Sequence, residues 1–575
     1  MKKRYFVLSI IVWLILSWSI LASDNIVVKL DVKVPMRDGI QLSTNIFLPN
    51  EEGSFPTILM RTPYGNGDAN NGTARDYAKA GYAYVIQDTR GRFESQGVFN
   101  PFMDEAQDGY DTQEWISKQS WCNGKIGTTG GSYVGFTQWI SAPLGSPAIK
   151  AMFPIITFTD FHDDIVYIGG AFQLSLAIGW SVIVTAKPGE DPAKINFQEL
   201  FGCLPLTEYH KTLGREISFY NDWLAHPDYD KYWLPATVSN KFNHINVPTY
   251  NLGNWYDIFA KPTTENFRRM REEAPSEEAR RSQKLLMGAG AHGMPSQKLG
   301  ERDFGENAKI DIGTIERRWF DRWLKDERNG IMEEAPVKIF VMGINQWRDE
   351  QEWPLARTRY TRYYLHSNGK ANTLHGDGVL NVESLGDEQS DIFKYDPNDP
   401  VSTTGGANLV IPAGPFDQRK VEERSDILVY TSTPLKEPVE ITGPIHLILY
   451  ASSSTFDTDF TAKLADVCPD GTVWNLTDGI IRARYRNSSK KSELIEPGKV
   501  YRYDIDLWVA SNVFLKDHCI RLEISSSNFP RFDRNPNTGH PFGKDAEVIT
   551  AKQTVYHNTE YPSYIVLPVI PTDKK

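Results

Sequence analysis

A single serine stands in a glycine-rich turn between an apolar strand and a helix. The turn is the segment 130–135, Gly-Gly-Ser-Tyr-Val-Gly, in which Ser132 follows a predicted strand over 124–129. A predicted helix over 136–142 follows the turn, and Pro143 ends it. Small residues are needed here because a strand, a tight turn and a helix approach one another closely. The pattern is typical of an exposed serine nucleophile.

The match to the G-x-S-x-G pattern of α/β hydrolases is imperfect, because Val134 stands where that pattern has its second glycine. The motif alone is equally compatible with a turn that has only a structural role. The other members of a Ser-acid-His set must therefore be sought further along the chain, in the order that the α/β-hydrolase fold uses.

Two candidates follow predicted strands in that order. Asp257 comes after a strand-like run over 248–253, and His292 comes after a run over 284–287 and a glycine-rich turn. Because ligands gather at the carboxyl ends of parallel strands, both side chains can converge on Ser132. Taken singly, Asp257 is equally interpreted as a helix N-cap and His292 as a solvated loop residue. Of the eleven histidines, however, only His292 follows an apolar strand in this way.

Further segments extend the similarity over nearly all of the chain after its N-terminal stretch. They are 61–65 (RTPYG), 87–92 (QDTRGR), 108–112 (DGYDT), 254–257 (NWYD), 291–293 (AHG), 343–348 (GINQWR), 353–354 (WP) and 395–400 (YDPNDP). With the serine turn, these segments resemble the CocE/NonD family of serine hydrolases. That group contains X-Pro dipeptidyl-peptidases, cocaine esterase, glutaryl-cephalosporin acylases and α-amino acid ester hydrolases.

The resemblance implies a role for each of five residues. Ser132 is implied as the nucleophile, His292 as the general base and Asp257 as the acid that orients it. Tyr64 is implied to donate its phenolic hydroxyl to the oxyanion, and the backbone N–H of Tyr133 to donate a second hydrogen bond. The alternative for Tyr64 is an aromatic residue of structural role in the turn after a proline.

The chain also departs from members of this family. The α-amino acid ester hydrolases carry Glu-Asp after the catalytic aspartate, where this chain has an apolar segment over 258–260, and they carry glutamate where this chain has Val134. An apolar wall cannot favourably hold a substrate ammonium, so α-amino substrates are disfavoured. The segment 288–291, Gly-Ala-Gly-Ala, replaces a bulkier Pro-Trp pair of relatives and leaves the pocket shape open.

Length and composition indicate a large multidomain protein, and the family resemblance implies a small-molecule ester or amide as its substrate. The chain has 575 residues, 40% hydrophobic and 23% charged, with a net charge of −11. An acidic protein is a poor partner for nucleic acid. No zinc-type spacing or phosphate loop is present, so neither a metal nor a cofactor is expected. The segment 160–164, Asp-Phe-His-Asp-Asp, is interpreted as a capped helix start rather than a metal site.

The N-terminal segment has the pattern of an export signal. Three basic residues at 2–4 precede an uncharged apolar run over 5–22, and polar sequence resumes at Ser23. We predict a signal peptide over 1–23 and a secreted or periplasmic protein, without membrane association after cleavage. The run of 18 residues also reaches the lower limit for a membrane span, so an uncleaved anchor is the alternative. The four cysteines are too few for a disulfide framework.

The order of strand-like and helical segments predicts three structural units. Alternating strands and helices predict an α/β hydrolase domain over 24–155 and 244–335, interrupted by a helical cap over 156–243. Strand-like runs dominate 336–575, which predicts a β-sandwich, and the family resemblance implies a jelly roll. Two functions are carried forward: a serine hydrolase for an ester, an amide or an X-Pro peptide, and a non-catalytic binding protein on the same scaffold.

Overall fold

The structure is a computed structural model that describes residues 25–187 and 189–571. The predicted signal peptide over 1–23 lies outside the described residues. Within the described part of the chain, every helix is too short or too polar to cross a bilayer.

A ten-stranded mixed sheet is the centre of the first part of the chain. Its strands are β1 (Val27–Pro35), β2 (Gln41–Leu48), β3 (Phe55–Thr62), β4 (Ala83–Asp88), β5 (Cys122–Gly131), β6 (Ile149–Ile155), β7 (Thr249–Asn254), β8 (Gln283–Gly288), β9 (Val337–Val341) and β10 (Gln346–Glu350). The spatial order is β1-β2-β4-β3-β5-β6-β7-β8-β9-β10. Strands β3 to β9 pair in parallel, and β1, β2 and β10 form antiparallel pairs. Every residue of β4, β7 and β8 is buried, because helices cover both faces of a parallel sheet.

Most helices flank this sheet or belong to the cap, and the last one lies in the C-terminal domain. They are α1 (Gly72–Lys79), α2 (Glu105–Ser117), α3 (Tyr133–Ser141), α4 (Leu174–Val184), α5 (Phe197–Phe201), α6 (Tyr209–Leu213), α7 (Ser218–Ala225), α8 (Ala260–Glu273), α9 (Glu277–Arg281), α10 (Ile312–Leu324) and α11 (Arg419–Glu422). Helix α3 packs on β5 and β6, and α8 packs on β7 and β8. The strand–turn–helix around Ser132 is therefore β5, its turn and α3.

Helices α4 to α7 occupy the insertion between β6 and β7, where the sequence predicts a helical cap. Large buried aromatic side chains hold this insertion together, among them Tyr220, Trp223 and Trp233. Rigid aromatic rings bury a large apolar area with few rotatable bonds. The cap therefore offers an apolar surface to the sheet beneath it.

Asp160, at the start of the cap, is bound entirely by donors of the protein. One carboxylate oxygen accepts hydrogen bonds from the hydroxyl groups of Tyr229 and Thr237, each at 2.7 Å. The other accepts the backbone N–H groups of His162 and Asp163, each at 3.1 Å. The carboxylate thus caps a helical turn, in agreement with the interpretation of the segment 160–164 as a capped start.

The C-terminal part is rich in strands, as predicted. Its strands are β11 (Arg359–His366), β12 (Val379–Asn381), β13 (Asp391–Tyr395), β14 (Leu428–Thr431), β15 (Val439–Ser453), β16 (Asp459–Val467), β17 (Val473–Arg482), β18 (Tyr501–Phe514), β19 (Cys519–Ser525), β20 (Ala551–Tyr556) and β21 (Tyr564–Ile570). The order is β13-β20-β15-β21-β11-β12-β14-β19-β16-β17, and β18 pairs with β15. A jelly-roll connectivity stays a prediction.

The sheet of the hydrolase domain extends beyond the predicted boundary at residue 335. Strand β9, which we assigned to the C-terminal β-sandwich over 336–575, pairs in parallel with β8, and β10 pairs with β9. The first sheet therefore includes two strands of the segment predicted as the C-terminal β-sandwich, and the domain boundary at 335 stays a prediction. An apolar run such as Val337–Val341 predicts a strand, but its sequence does not contain information on which sheet the strand joins.

The C-terminal domain braces the segment that carries Asp257. The hydroxyl of Tyr256 donates to the carbonyl oxygen of Asn475 at 2.8 Å, and Lys261 Nζ lies 2.5 Å from Asp506 Oδ2. These two contacts lie on either side of Asp257 in the chain. The domain thus supports the position of the acid directly.

Candidate active site

Ser132 occupies a backbone conformation that side-chain-bearing residues rarely adopt. Its φ is +59° and its ψ is −124°, a combination that costs of order 1–3 kcal/mol unless the surroundings impose it. They do so here, because the Ser132 N–H donates to the carbonyl of Ile155 at 3.0 Å and its carbonyl accepts the hydroxyl of Thr157 at 2.7 Å. A strained turn that projects one hydroxyl is the geometry of a nucleophile elbow.

The neighbouring glycines show why this turn needs small residues. A Cβ on Gly130, whose φ is +128°, would lie 2.2 Å from Cγ1 of Val134, and one on Gly135 would lie 2.6 Å from Cβ of Thr157. Val134, at the position where the G-x-S-x-G pattern has glycine, fills the space above Gly130. The close approach to the following strand is made one position later, at Gly135. Gly130 and Gly135 therefore provide the close contacts that a nucleophile turn needs, although their spacing differs from the G-x-S-x-G pattern.

His292 and Asp257 form a hydrogen-bonded pair. Nδ1 of His292 lies 2.7 Å from Oδ2 of Asp257, whose side chain is fully buried. The other carboxylate oxygen accepts the backbone N–H of Phe259 at 2.7 Å. Since an ionised carboxylate only accepts hydrogen bonds, Nδ1 carries a proton and Nε2 is free to act as a base. The imidazole also meets the ring of Phe259 edge to face at 5.4 Å.

Asn254 holds the loop that carries His292. Its side-chain amide donates to the carbonyl oxygens of Ala291 at 3.0 Å and Gly293 at 2.7 Å, on either side of the histidine. A Cβ on Gly290 would lie 2.7 Å from Cγ of Asn254. The small residues over 288–291 therefore let this amide reach the loop.

Tyr64 and Tyr133 lie beside the serine, with their rings at 74° and their centroids 6.5 Å apart. Tyr133 is the first residue of α3, so its backbone N–H has no acceptor within the helix. The phenol oxygen of Tyr64 accepts a hydrogen bond of 3.1 Å from Nε1 of Trp180. Tyr64 is half exposed, and the desolvation that its hydroxyl does experience raises its pKa above the ordinary value, so the group stays protonated and can donate.

The hydroxyl of Tyr133 is anchored by a buried ion pair. Its hydroxyl donates to Glu105 at 2.7 Å, and the other oxygen of that carboxylate lies 2.7 Å from a guanidinium nitrogen of Arg61. Burial raises the pKa of Glu105, and the charge of Arg61 opposes that rise. This network fixes the start of α3, and with it the direction of the Tyr133 N–H.

An apolar cavity opens above Ser132. Its walls are aromatic and aliphatic, and they come from the sheet domain, the cap and, through Leu409, the C-terminal domain. The lining residues are Tyr64, Phe102, Ser132, Tyr133, Phe158, Phe161, Ile165, Leu176, Ala177, Trp180, Trp223, Ile258, Phe259 and Leu409. None of these residues carries a formal charge. Such a cavity suits an apolar acyl group.

One group of side chains in the described residues could hold a metal ion, and it lies in a loop of the C-terminal domain. It consists of His540, Asp545 and Glu547, of which His540 and Glu547 are exposed. Their side chains do not line the cavity above Ser132. The expectation that the enzyme uses no metal and no cofactor stays a prediction.

The structure places the five selected residues in two neighbouring groups: Ser132, Tyr64 and Tyr133 at the cavity, and the hydrogen-bonded pair of His292 and Asp257 beside Phe259. Ser132, Tyr64 and Tyr133 line one cavity with Phe259, and the ring of Phe259 contacts the ring of His292. The sequence analysis gave no role to Trp180, Arg92, Asn254 or Leu409, although Arg92 and Asn254 lie in the segments 87–92 and 254–257. The glycines at 288 and 290 were the available signal for Asn254. Trp180, Arg92 and Leu409 reach the site through contacts between distant parts of the chain.

Comparison with known proteins gives consistent results over the whole chain. Residues 38–294 match the family described as X-Pro dipeptidyl-peptidase (S15 family), and residues 329–566 match the X-Pro dipeptidyl-peptidase C-terminal non-catalytic domain. A cocaine esterase of Rhodococcus sp. (strain MB1 Bresler) is 38% identical over 96% of this chain and 100% of its own.

Solved structures agree with this assignment. An α-amino acid ester hydrolase superposes with a TM-score of 0.81 at 26% identity, covering 98% of this chain and 100% of that chain. An aminopeptidase from a marine sediment Thaumarchaeota archaeon superposes with a TM-score of 0.82 at 26% identity, covering 95% and 97% of the two chains. The protein therefore belongs to the X-Pro dipeptidyl-peptidase (S15) family, within its CocE/NonD group, and is a serine hydrolase.

Proposed function

We propose that this protein is an exported esterase that cleaves acyl esters through an acyl-enzyme on Ser132. His292 removes the proton of Ser132 during attack and returns it to the leaving alcohol. Asp257 holds the imidazole in the tautomer with the proton on Nδ1 and stabilises the imidazolium. The observation that carries the proposal is the 2.7 Å hydrogen bond between His292 and the fully buried Asp257, with the His292 ring against Phe259, which lines the cavity together with Ser132.

Tyr64 and the backbone N–H of Tyr133 are proposed as the two donors to the oxyanion. Attack by Ser132 places negative charge on the former carbonyl oxygen of the substrate, and donors held in place beforehand stabilise that charge without reorganising. Support comes from the raised pKa of Tyr64, which keeps its proton, and from the position of Tyr133 at the start of α3.

The cavity favours esters of an apolar, including an aromatic, acyl group. Rings of Phe158, Phe161, Trp180 and Trp223 line it, and aromatic acyl groups pack well against such rings. The similarity to a cocaine esterase supports the same choice. On these two grounds we propose that the cleaved bond is an ester rather than an amide. The fold and the proposed set of Ser132, His292 and Asp257 suit both bonds.

Cleavage of X-Pro dipeptides is the alternative, because the family contains such peptidases. That reaction requires a free α-ammonium to be held near the cleaved bond, and the described residues that line the cavity include no carboxylate. An ammonium left without a partner among apolar side chains is costly. A non-catalytic role is not favoured, because the chain retains a candidate nucleophile, base and acid in Ser132, His292 and Asp257.

Esters of N-acetyl amino acids are expected to be cleaved more efficiently than the same esters with a free α-amino group. The expected difference in kcat/KM is roughly tenfold or more, because only the N-acetyl forms enter the cavity without an unpaired charge. A panel of matched aryl esters, a plain acyl ester, glutaryl amides and Xaa-Pro amides measures this preference. A preference for the free α-amino ester, or for an Xaa-Pro amide, would contradict the esterase assignment.

Export is proposed from the basic and apolar residues at the N-terminus. The mature protein is expected to begin near Ser23 or Asp24, since polar sequence resumes there after the apolar run. N-terminal sequencing of the protein from fractionated cells measures this. An intact Met1 on soluble cytoplasmic protein would refute export, and an intact Met1 on membrane-bound protein would identify an anchor.

A further inference from the structure

Trp180 and Arg92 join the loop that carries Tyr64 to the cap helix above the cavity. The indole Nε1–H of Trp180 donates to the phenol oxygen of Tyr64 at 3.1 Å. Nε of Arg92 donates to the carbonyl of Pro63 at 2.7 Å, and Nη1 donates to the carbonyl of Val184 at 2.6 Å. Pro63 precedes Tyr64, and Val184 ends the helix that carries Trp180. The guanidinium of Arg92 therefore binds both the loop that carries Tyr64 and the helix that carries Trp180.

The hydrogen bond from Trp180 determines what the hydroxyl of Tyr64 can do. A phenol has one proton to donate and lone pairs that accept, whereas an indole N–H only donates. With Trp180 on the acceptor side, the proton of Tyr64 stays available for another acceptor. A donor on the phenol oxygen also polarises the O–H bond and makes it a stronger donor.

Arg92 contributes a positive charge to the same place. Its guanidinium lies over the rings of Phe93 and Phe99, with centroids at 5.1 and 4.9 Å. Its hydrogen bonds to Pro63 and Val184 go to neutral carbonyls, so these bonds leave its charge uncancelled. That charge lowers the pKa of Tyr64 and so opposes the larger effect of burial, which raises it. A cation is also favourable at the C-terminus of a helix.

We propose that Trp180 and Arg92 are positioning residues that hold the hydroxyl of Tyr64 with its proton directed at the carbonyl oxygen of the substrate. The inference rests on the proposed function, in which Tyr64 stabilises the oxyanion. Under this proposal the cap, through Trp180, affects the chemical step and also forms part of the cavity wall.

Trp180→Phe tests the hydrogen bond, because phenylalanine keeps an aromatic wall and removes the donor, and the smaller ring it leaves is matched by the Trp223→Phe control. We expect the acylation rate of an aryl ester to fall about fivefold, equivalent to about 1 kcal/mol, with KM nearly unchanged. In the Tyr64→Phe background the same substitution is expected to cost nothing further, because its target is already gone. An equal loss in both backgrounds, or a change in KM alone, would overturn the inference.

Trp223→Phe is the matched control, since it makes the same chemical change in the wall of the same cavity. Its effect comes from packing against the substrate, so it is expected to be of equal size with and without the Tyr64 hydroxyl. If Trp223→Phe loses its effect in the Tyr64→Phe background as fully as Trp180→Phe does, the specific link between Trp180 and Tyr64 is disproved.

Substitutions at Arg92 separate its charge from its hydrogen bonds. Arg92→Met is expected to lower the acylation rate about tenfold, and Arg92→Lys to recover part of it by restoring the charge. The thermal unfolding of both variants is measured to check that they are folded. Losses that persist in the Tyr64→Phe background would overturn the role of Arg92. A normal acylation rate in Tyr64→Phe itself would instead refute the proposed oxyanion donor.

Discussion

Replacement of Ser132 by alanine is expected to lower turnover by about 10⁶-fold, and His292→Ala is expected to do nearly the same. The double variant is expected to be scarcely worse than either single one. Ser132, His292 and Asp257 act as a unit in the proposed mechanism. Without the Ser132 hydroxyl there is nothing for the imidazole to deprotonate, and without the imidazole the hydroxyl is a weak nucleophile. Steady-state rates with an aryl ester measure these losses.

Labelling with a fluorophosphonate provides an independent measurement of the same assignment. The wild-type protein is expected to be labelled at Ser132, and Ser132→Ala to remain unlabelled. Ser276→Ala is a matched control, because the hydroxyl of Ser276 caps the surface helix α9 and lies outside the cavity. Near-normal turnover or labelling of Ser132→Ala would refute the assignment of the nucleophile.

Local sequence signals predicted most of the elements around the site. The strand–turn–helix around Ser132 forms where glycines flank the serine. Turns and helix boundaries depend on residues close together in the chain, so the sequence contains the information that sets them. Asp257 and His292 could be found because each directly follows its own strand.

Contacts between distant segments could not be predicted in the same way. Trp180 lies 116 positions from Tyr64, and Leu409 reaches the cavity from another domain. Strand β9 joins the sheet of the first domain although the segments after it are almost all strands. In each case the sequence indicates the type of local structure, whereas the partner depends on how the whole chain packs.

Tyr64→Phe is expected to lower kcat for ester cleavage about 10²- to 10³-fold with KM nearly unchanged, a loss of roughly 3 to 4 kcal/mol in transition-state stabilisation. Phenylalanine keeps the ring and its packing against Tyr133 but removes the proposed donor to the oxyanion. An interaction that forms mainly in the transition state affects kcat rather than KM. The acylation rate, measured before the steady state, reports this step directly.

The choice of substrate decides whether this loss can be seen. The ester must be one whose acylation limits turnover, because slow hydrolysis of the acyl-enzyme would mask a change in the first step. Tyr360→Phe is a suitable control, since Tyr360 is exposed on β11 in the C-terminal domain and is expected to leave the rate unchanged. If Tyr64 had only a structural role in its turn, its substitution would change acylation by a few-fold at most. Such a result would leave the backbone N–H of Tyr133 as the remaining proposed donor to the oxyanion.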